Sequence, residues 1–258
     1  MIPVLAFDIE TVPDVAGLRL LHGIDATLSD TEVAEFAFAR RRAQSPGDFL
    51  PLHLHRVVAI SVALREGDSF RVWSVGAAGD AESDLIRRFF DGVEKYTPQL
   101  VSWNGGGFDL PVLNYRALVH GLCCARFWDL GDDDRDFRYN NYINRFHSRH
   151  LDLMDVLSMY QGRASAPLDQ MAKLCGFPGK LGMDGSAVWD AFQAGGIAGI
   201  RAYCETDVTN TYLLFLRFQK MRGLLDDACY AEECALVRTT LGRATEPHWR
   251  EFLDAWPS

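Results

Sequence analysis

The first ten residues constrain the chain more than any other stretch. Pro3-Val4-Leu5-Ala6-Phe7-Asp8-Ile9-Glu10 is an apolar run that closes on two acids one residue apart. Read as a strand, its side chains alternate between faces, so Leu5, Phe7 and Ile9 turn toward a core while Asp8 and Glu10 share the opposite face. Two carboxylates side by side on a buried strand repel each other unless something neutralises them. For an all-oxygen pair, a hard divalent cation does so. The same residues also fit an ordinary strand that ends in polar residues at the surface.

The remaining chain narrows the choice. With 258 residues and 48% apolar composition it can bury a sizeable core. No apolar run approaches the roughly 18 residues of a membrane helix, and no basic segment precedes the first apolar stretch, so neither a membrane protein nor a secretory leader is expected. The six cysteines include no C-x-x-C, which fits reduced thiols and a cytoplasmic location. A net charge of −9 argues against coating duplex nucleic acid by electrostatics alone, but not against a local basic groove.

After Glu10 the chain leaves the sheet in a helical excursion over 13–55. Within it Ser29-Asp30-Thr31-Glu32 has capping-box spacing and opens a helix expected to run from Asp30 to Ala43. Val57–Leu64, the turn residues Glu66-Gly67-Asp68-Ser69 and Phe70–Val75 read as a hairpin. A helix over 80–96, a short strand Leu100–Trp103 and a helix from the Gly105-Gly106-Gly107 segment to His120 follow. The expected fold is α/β, a mixed sheet of five to six strands flanked by helices.

Between Arg135 and His150 four arginines face one aspartate, with Phe137, Tyr139, Tyr142 and Phe146 interleaved. Such a loop suits a single nucleic-acid strand, phosphates on arginines and bases on rings; its aromatics equally suit pinning the loop to the core. Everything after Pro167 reads as helical. The almost wholly apolar stretch Tyr212–Phe218 marks a buried helix that carries Tyr203 and Asp207 on one face. Residues 1–222 read as one domain and 223–258 as a helical tail packed on it.

Taken singly, Asp109 is a helix N-cap signal and Asp207 a solvated helix acid. Topology can bring them, with Asp8 and Glu10, to one sheet edge, where four carboxylates make sense as a cage for two divalent metals. Phe108-Asp109 stands where a phosphate-binding loop needs Lys, so the three glycines are not one. His53-x-His55 and His147-x-x-His150 have no recognisable metal partners. Asp155 reads as a turn or helix N-cap.

Asp8-Ile9-Glu10-Thr11, Trp103-Asn104 through Phe108-Asp109 with Pro111, and Tyr203-x-x-x-Asp207 resemble, in order and spacing, the three exonuclease motifs of the DEDD superfamily, with the tyrosine of its DEDDy branch. The N-x-x-x-F-D-x-P spacing is similar to the proofreading domain of family B DNA polymerases, and the stand-alone length resembles the predicted PolB-like 3′–5′ exonucleases, over residues 3–220. The resemblance implies a ribonuclease H-like fold and two cations, Mg²⁺ or Mn²⁺, held by Asp8, Glu10, Asp109 and Asp207. It also implies a water oriented by Tyr203, and Thr11, Asn104 and Phe108 on a single-stranded 3′ end. Arg145 of the basic loop joins them as a candidate substrate contact. The expected reaction is 3′–5′ exonucleolytic release of nucleoside 5′-monophosphates from single-stranded DNA. An exoribonuclease with the same site and a catalytically silent nucleic-acid-binding module are the alternatives. Protein partners are not legible.

Overall fold

The computed structural model describes residues 2–257; Met1 and Ser258, the outer ends of the two expected spans, lie outside the described residues. Five strands form the sheet: β1 (Val4–Pro13), β2 (His55–Glu66), β3 (Ser69–Ser74), β4 (Gln99–Ser102) and β5 (His150–Asp152), in the order β3-β2-β1-β4-β5. β1, β2 and β3 are antiparallel, whereas β4 and β5 run parallel to β1. This is the expected α/β architecture, a mixed five-stranded sheet flanked by helices. It puts the acid-bearing strand at the centre. The register between β1 and β2 shifts between Glu10 and Thr11, a bulge that re-aims the strand just past the acids.

Between β1 and β2 lie α1 (Val15–His22) and α2 (Asp30–Arg42), the latter with its capping box formed by Ser29 and Glu32. α1 escaped the sequence pattern because only one of its residues, Leu18, is buried. α3 (Glu82–Tyr96), α4 (Asp109–Val119) and α5 (Ala125–Trp128) cover one face of the sheet. There Leu5, Phe7 and Ile9 of β1 join Ile86, Phe89, Leu110 and Leu113 in one core.

α6 (Leu153–Leu157), α7 (Leu168–Leu174), α8 (Val188–Gln193) and α9 (Ile197–Met221) complete the main body. α9 crosses the other face of the sheet, where Ala6 and Ala63 pack with Val208, Tyr212 and Leu213; such small strand residues let a helix come close. Asp8 and Glu10 share that face with Ala6, so the strand points its acids at α9.

α10 (Asp227–Gly242) and α11 (Pro247–Ala255) pack back on α9, burying Val237, Trp249 and Phe252. Arg65 of β2 pairs with Glu233 at 2.7 Å, and His248 meets Glu205 at 3.0 Å. No helix of the described residues is long and apolar enough to cross a membrane.

The region after Pro167 is not continuously helical as expected. Residues 175–187 form a loop with one short 3₁₀ turn, because Gly176, Gly179 and Gly182 adopt φ of +80°, +72° and +77°, a conformation that ends a right-handed helix. The β4 strand also stops one residue early: the Trp103 indole donates to the Ala166 carbonyl instead.

Candidate functional site

Each candidate acid reaches the site by its own element. Asp8 and Glu10 come from β1, Asp109 from the first position of α4, and Asp207 from the third turn of α9. Asp109 does not cap its helix. Phe108 occupies the N-cap position, and the Asp109 carboxylate turns to β1, where its Oδ1 accepts from the Ile9 amide at 3.1 Å. The helix start is thereby fastened to the strand between the two β1 acids.

The approach to Asp109 is a tight turn. Gly105 sits where a Cβ would lie 2.3 Å from Ser102 Oγ, so only glycine lets the backbone pass. Asn104 takes φ 68°, which Asn tolerates. Asp152 anchors this turn: its Oδ1 accepts from the Asn104 amide and its Oδ2 from the Gly106 amide, both at 2.9 Å. Asp152 is also the N-cap of α6, accepting from the Asp155 amide. The cap expected at Asp155 therefore belongs to Asp152, which has the extended backbone of a cap and whose Oδ1 accepts from the Asp155 amide as well as from Asn104.

On α9, Tyr203 and Asp207 lie four residues apart and are both buried. Between them Cys204 points at β1; its thiol donates to the Asp8 carbonyl at 3.4 Å and to Asp8 Oδ2 at 3.5 Å. Asp8, Glu10 and Cys204 offer ligand atoms that all lie within 4.8 Å of one another. Sequence reasoning missed Lys180. Its ammonium donates to the Tyr203 hydroxyl and sits 3.3 Å from Asp207 Oδ2, one cation among four acids. The loop that carries it is clamped to α9 by Asn210, whose amide donates to the Gly179 carbonyl at 2.9 Å and accepts from the Gly179 amide at 3.1 Å.

Burial dominates the electrostatics. It raises the Asp8 and Glu10 carboxyls well above the usual range, reinforced by Asp109 and Asp207 around Asp8 and by Asp8 and Asp207 around Glu10. Burial pushes Asp109 up to about 7. Asp207 is raised by burial and restrained by Lys180. The Tyr203 phenol is pushed far up by burial, then by Asp207 and Glu10, so it stays protonated.

Asp207 Oδ1 is buried and, among the described residues, has no hydrogen-bond partner. A divalent cation would satisfy that oxygen and screen the repulsion, and carboxylate donors suit Mg²⁺ or Mn²⁺. The residues fit such ions.

Beside Glu10 opens a cleft of about 550 Å³ lined by Thr11, Phe49, His55, Phe108 and Trp189. The Phe108 ring lies 5.7 Å from Phe49 and 5.3 Å from His55. His55 is no metal ligand: its Nδ1 meets the Thr11 hydroxyl at 2.9 Å and its Nε2 the Leu50 carbonyl at 3.1 Å. Thr11 and Phe108 thus face the cleft, whereas Asn104 belongs to the turn and does not line it. The cleft's Phe49 and Trp189 come from distant segments, and nothing local in the sequence flags them.

Arg145 lies away from the acids. It forms a bidentate pair with Asp155, with contacts of 2.7 and 2.8 Å to one guanidinium nitrogen, and stacks near Phe146 and Tyr160. The basic loop's rings divide between core and surface. Phe137 and Tyr142 are buried, whereas Tyr139 and Phe146 are 83% and 68% exposed. In the second histidine pair, His147 accepts from the Asn141 amide and His150 meets Ser102 Oγ at 2.8 Å.

A protein-family model described as "Predicted 3'-5' exonuclease related to the exonuclease domain of PolB" matches residues 47–256. Asp109, Tyr203 and Asp207 fall within the matched span, whereas Asp8 and Glu10 precede it. No curated protein matches the chain. Among solved structures the chain is similar to the family B DNA polymerase from the hyperthermophilic archaeon Pyrobaculum calidifontis. The identity is 19% and the TM-score 0.47, over 82% of this chain and 24% of that one, so the chain spans about a quarter of the polymerase's length.

Proposed function

The chain belongs to the predicted 3′–5′ exonucleases related to the exonuclease domain of PolB, whose model spans most of it, and on that premise we propose that it removes nucleotides one at a time from the 3′ end of single-stranded DNA in a metal-dependent hydrolysis. The observation that carries this reading is the meeting of Asp8, Glu10, Asp109 and Asp207 from three elements beside one buried tyrosine. Burying four acids together opposes stability, and repays it only where a cation is to be held.

In this reading Asp8, Glu10, Asp109 and Asp207 would hold two divalent cations, which would supply Lewis-acid activation of the attacking water and charge stabilisation of the departing 3′ oxygen. Tyr203 stays protonated and orients that water; it cannot serve as base. Lys180 donates to the phenol oxygen, so the phenol keeps its own hydrogen to donate. Water adds to the terminal phosphorus, the bond to the 3′ oxygen breaks, and a nucleoside 5′-monophosphate leaves.

The aromatic cleft next to Glu10 suits an unpaired terminal base, since bases stack on rings without regard to sequence. Arg145, with Phe146 and Tyr160, offers a phosphate and ring contact for the strand further from its end. A phosphate there competes with Asp155 for the guanidinium. Held among the acids, a paired duplex end is disfavoured by the chain's net charge of −9.

The test is a gel time course on 5′-labelled single-stranded DNA and a matched RNA, with Mg²⁺, with Mn²⁺ and with EDTA, beside the Asp207→Asn protein. A metal-dependent ladder shortening from the 3′ end of the DNA, lost in the variant, is expected. A ladder on RNA alone overturns the sugar assignment. No ladder on either strand, with Mn²⁺ bound, leaves the chain a binding module.

A further inference from the structure

Cys204 is the one non-oxygen donor in the tightest ligand group among the described residues. It is one residue after Tyr203 and three before Asp207, so α9 turns it toward the acids. It is fully buried, and both of its hydrogen bonds go to Asp8. Its thiol therefore reaches the Asp8 carboxylate from within a small apolar cluster that includes Val12, Val58 and Ala59. Burial first, then the Asp8 and Glu10 charges, hold it protonated well above the usual thiol range.

The ligand atoms of Asp8, Glu10 and Cys204 are within 4.8 Å of one another. An ion with sulfur at roughly 2.3 Å and oxygen at about 2.0–2.2 Å needs donors only slightly closer than that. Asp207, one helical turn beyond Cys204 on α9, adds a buried carboxylate oxygen, Oδ1, that has no hydrogen-bond partner among the described residues.

We propose that Cys204 makes this site a trap for a thiophilic divalent cation of the zinc and cadmium class, with its thiolate as a ligand beside Asp8 and Glu10. The proposal rests on the reading that these carboxylates hold a divalent ion. Hard Mg²⁺ or Mn²⁺ has little affinity for sulfur and leaves the S–H bonded to Asp8. A soft ion recruits the sulfur: the S–H bond breaks, the proton leaves to solvent, and the thiolate's electron pair forms the bond to the metal. No redox change occurs. A soft ion so held displaces the hard one and arrests cleavage.

The experiment titrates the whole protein with CdCl₂ and follows the ultraviolet thiolate-to-cadmium charge-transfer band. Wild type, Cys204→Ser and Cys204→Ala are compared, the second variant standing in should the first not fold. Mn²⁺ binding is read in parallel by electron paramagnetic resonance. The expected result is a band component in wild type that saturates at one ion per chain, is lost in both variants, and is chased by excess Mn²⁺. Equal bands in all three proteins, arising from the other five cysteines, overturn the proposal while leaving the Mn²⁺ site standing. Failure of wild type to bind Mn²⁺ instead strikes the carboxylate reading itself.

Discussion

Asp152 Oδ2 accepts a hydrogen bond from the Gly106 amide at 2.9 Å, so the carboxylate at the end of β5 fixes the turn that delivers Asp109. Hydrogen bonds to a buried carboxylate are worth roughly 1.5–3 kcal/mol each. Asp152→Ala leaves the Asn104 and Gly106 amides unpaired and should lower stability by about 2–4 kcal/mol. Mn²⁺ affinity should fall with it, because Asp109 loses its fixed approach. Urea midpoints and Mn²⁺ titration measure both, and a variant as stable as wild type would contradict the role of the turn.

Lys180 should matter for rate more than for substrate affinity. Lys180→Met removes the donor that orients the Tyr203 phenol and the cation facing Asp207. Loss of one positioned electrostatic group lowers kcat by on the order of a hundredfold. KM should change little, because Lys180 does not line the aromatic cleft. Steady-state kinetics on single-stranded DNA give the split, and a change in KM alone would move Lys180 to substrate binding.

The acid cluster trades stability for function. Asp8→Asn removes a charge that burial and the Asp109 and Asp207 carboxylates oppose. The metal-free protein should gain about 1–2 kcal/mol while losing cleavage. In wild type, Mn²⁺ at a hundred times its Kd should add about 2.7 kcal/mol, and in the variant much less. Thermal melts with Mn²⁺ and with EDTA compare the four states.

Acid should unfold the protein partly through His150. Burial holds its imidazole at about 4, against 6.5 ordinarily. The unfolded chain therefore binds the proton first, and the folded state loses stability as pH falls from about 6.5 to 4, by about 3 kcal/mol in all. Above that window the contribution is constant. His150→Gln keeps an amide near Ser102 Oγ without titrating, so its urea midpoint should fall less steeply between pH 7 and 4. Parallel curves for the two proteins would exclude His150 as a source of acid lability.

Phe49→Ala should raise KM about fivefold to thirtyfold, the equivalent of one lost base–aromatic stack at roughly 1–2 kcal/mol. Its ring is 59% exposed, so stability should change little. An unchanged KM would mean that the terminal base does not use this cleft.

What could be read from the chain follows from range. The alternation in β1, the capping box at Ser29 and Glu32, and the apolar run of α9 are local patterns, and each stands in the structure where its pattern lies. Lys180 was illegible because it sits in a glycine-broken loop with no period. Its meaning comes from the clamp of Asn210 on the neighbouring Gly179, 31 residues apart in the chain. Phe49 and Trp189 meet across the cleft for similarly distant reasons. The cap read at Asp155 falls at Asp152 because residue type alone cannot place a cap; backbone geometry and the claim of Arg145 on Asp155 do. Cys204 read as one more scattered thiol until α9 turned it to the strand.

The 196 residues between Asp8 and Cys204 also set a timetable. β1 leaves the ribosome before β2, α3, β4 and β5, and α9 follows them all. Contacts of such separation form late and slowly. The nascent chain thus carries Asp8 and Glu10 with neither Tyr203 nor Asp207 beside them until α9 has been made. The acid cluster is the last thing this order of synthesis completes.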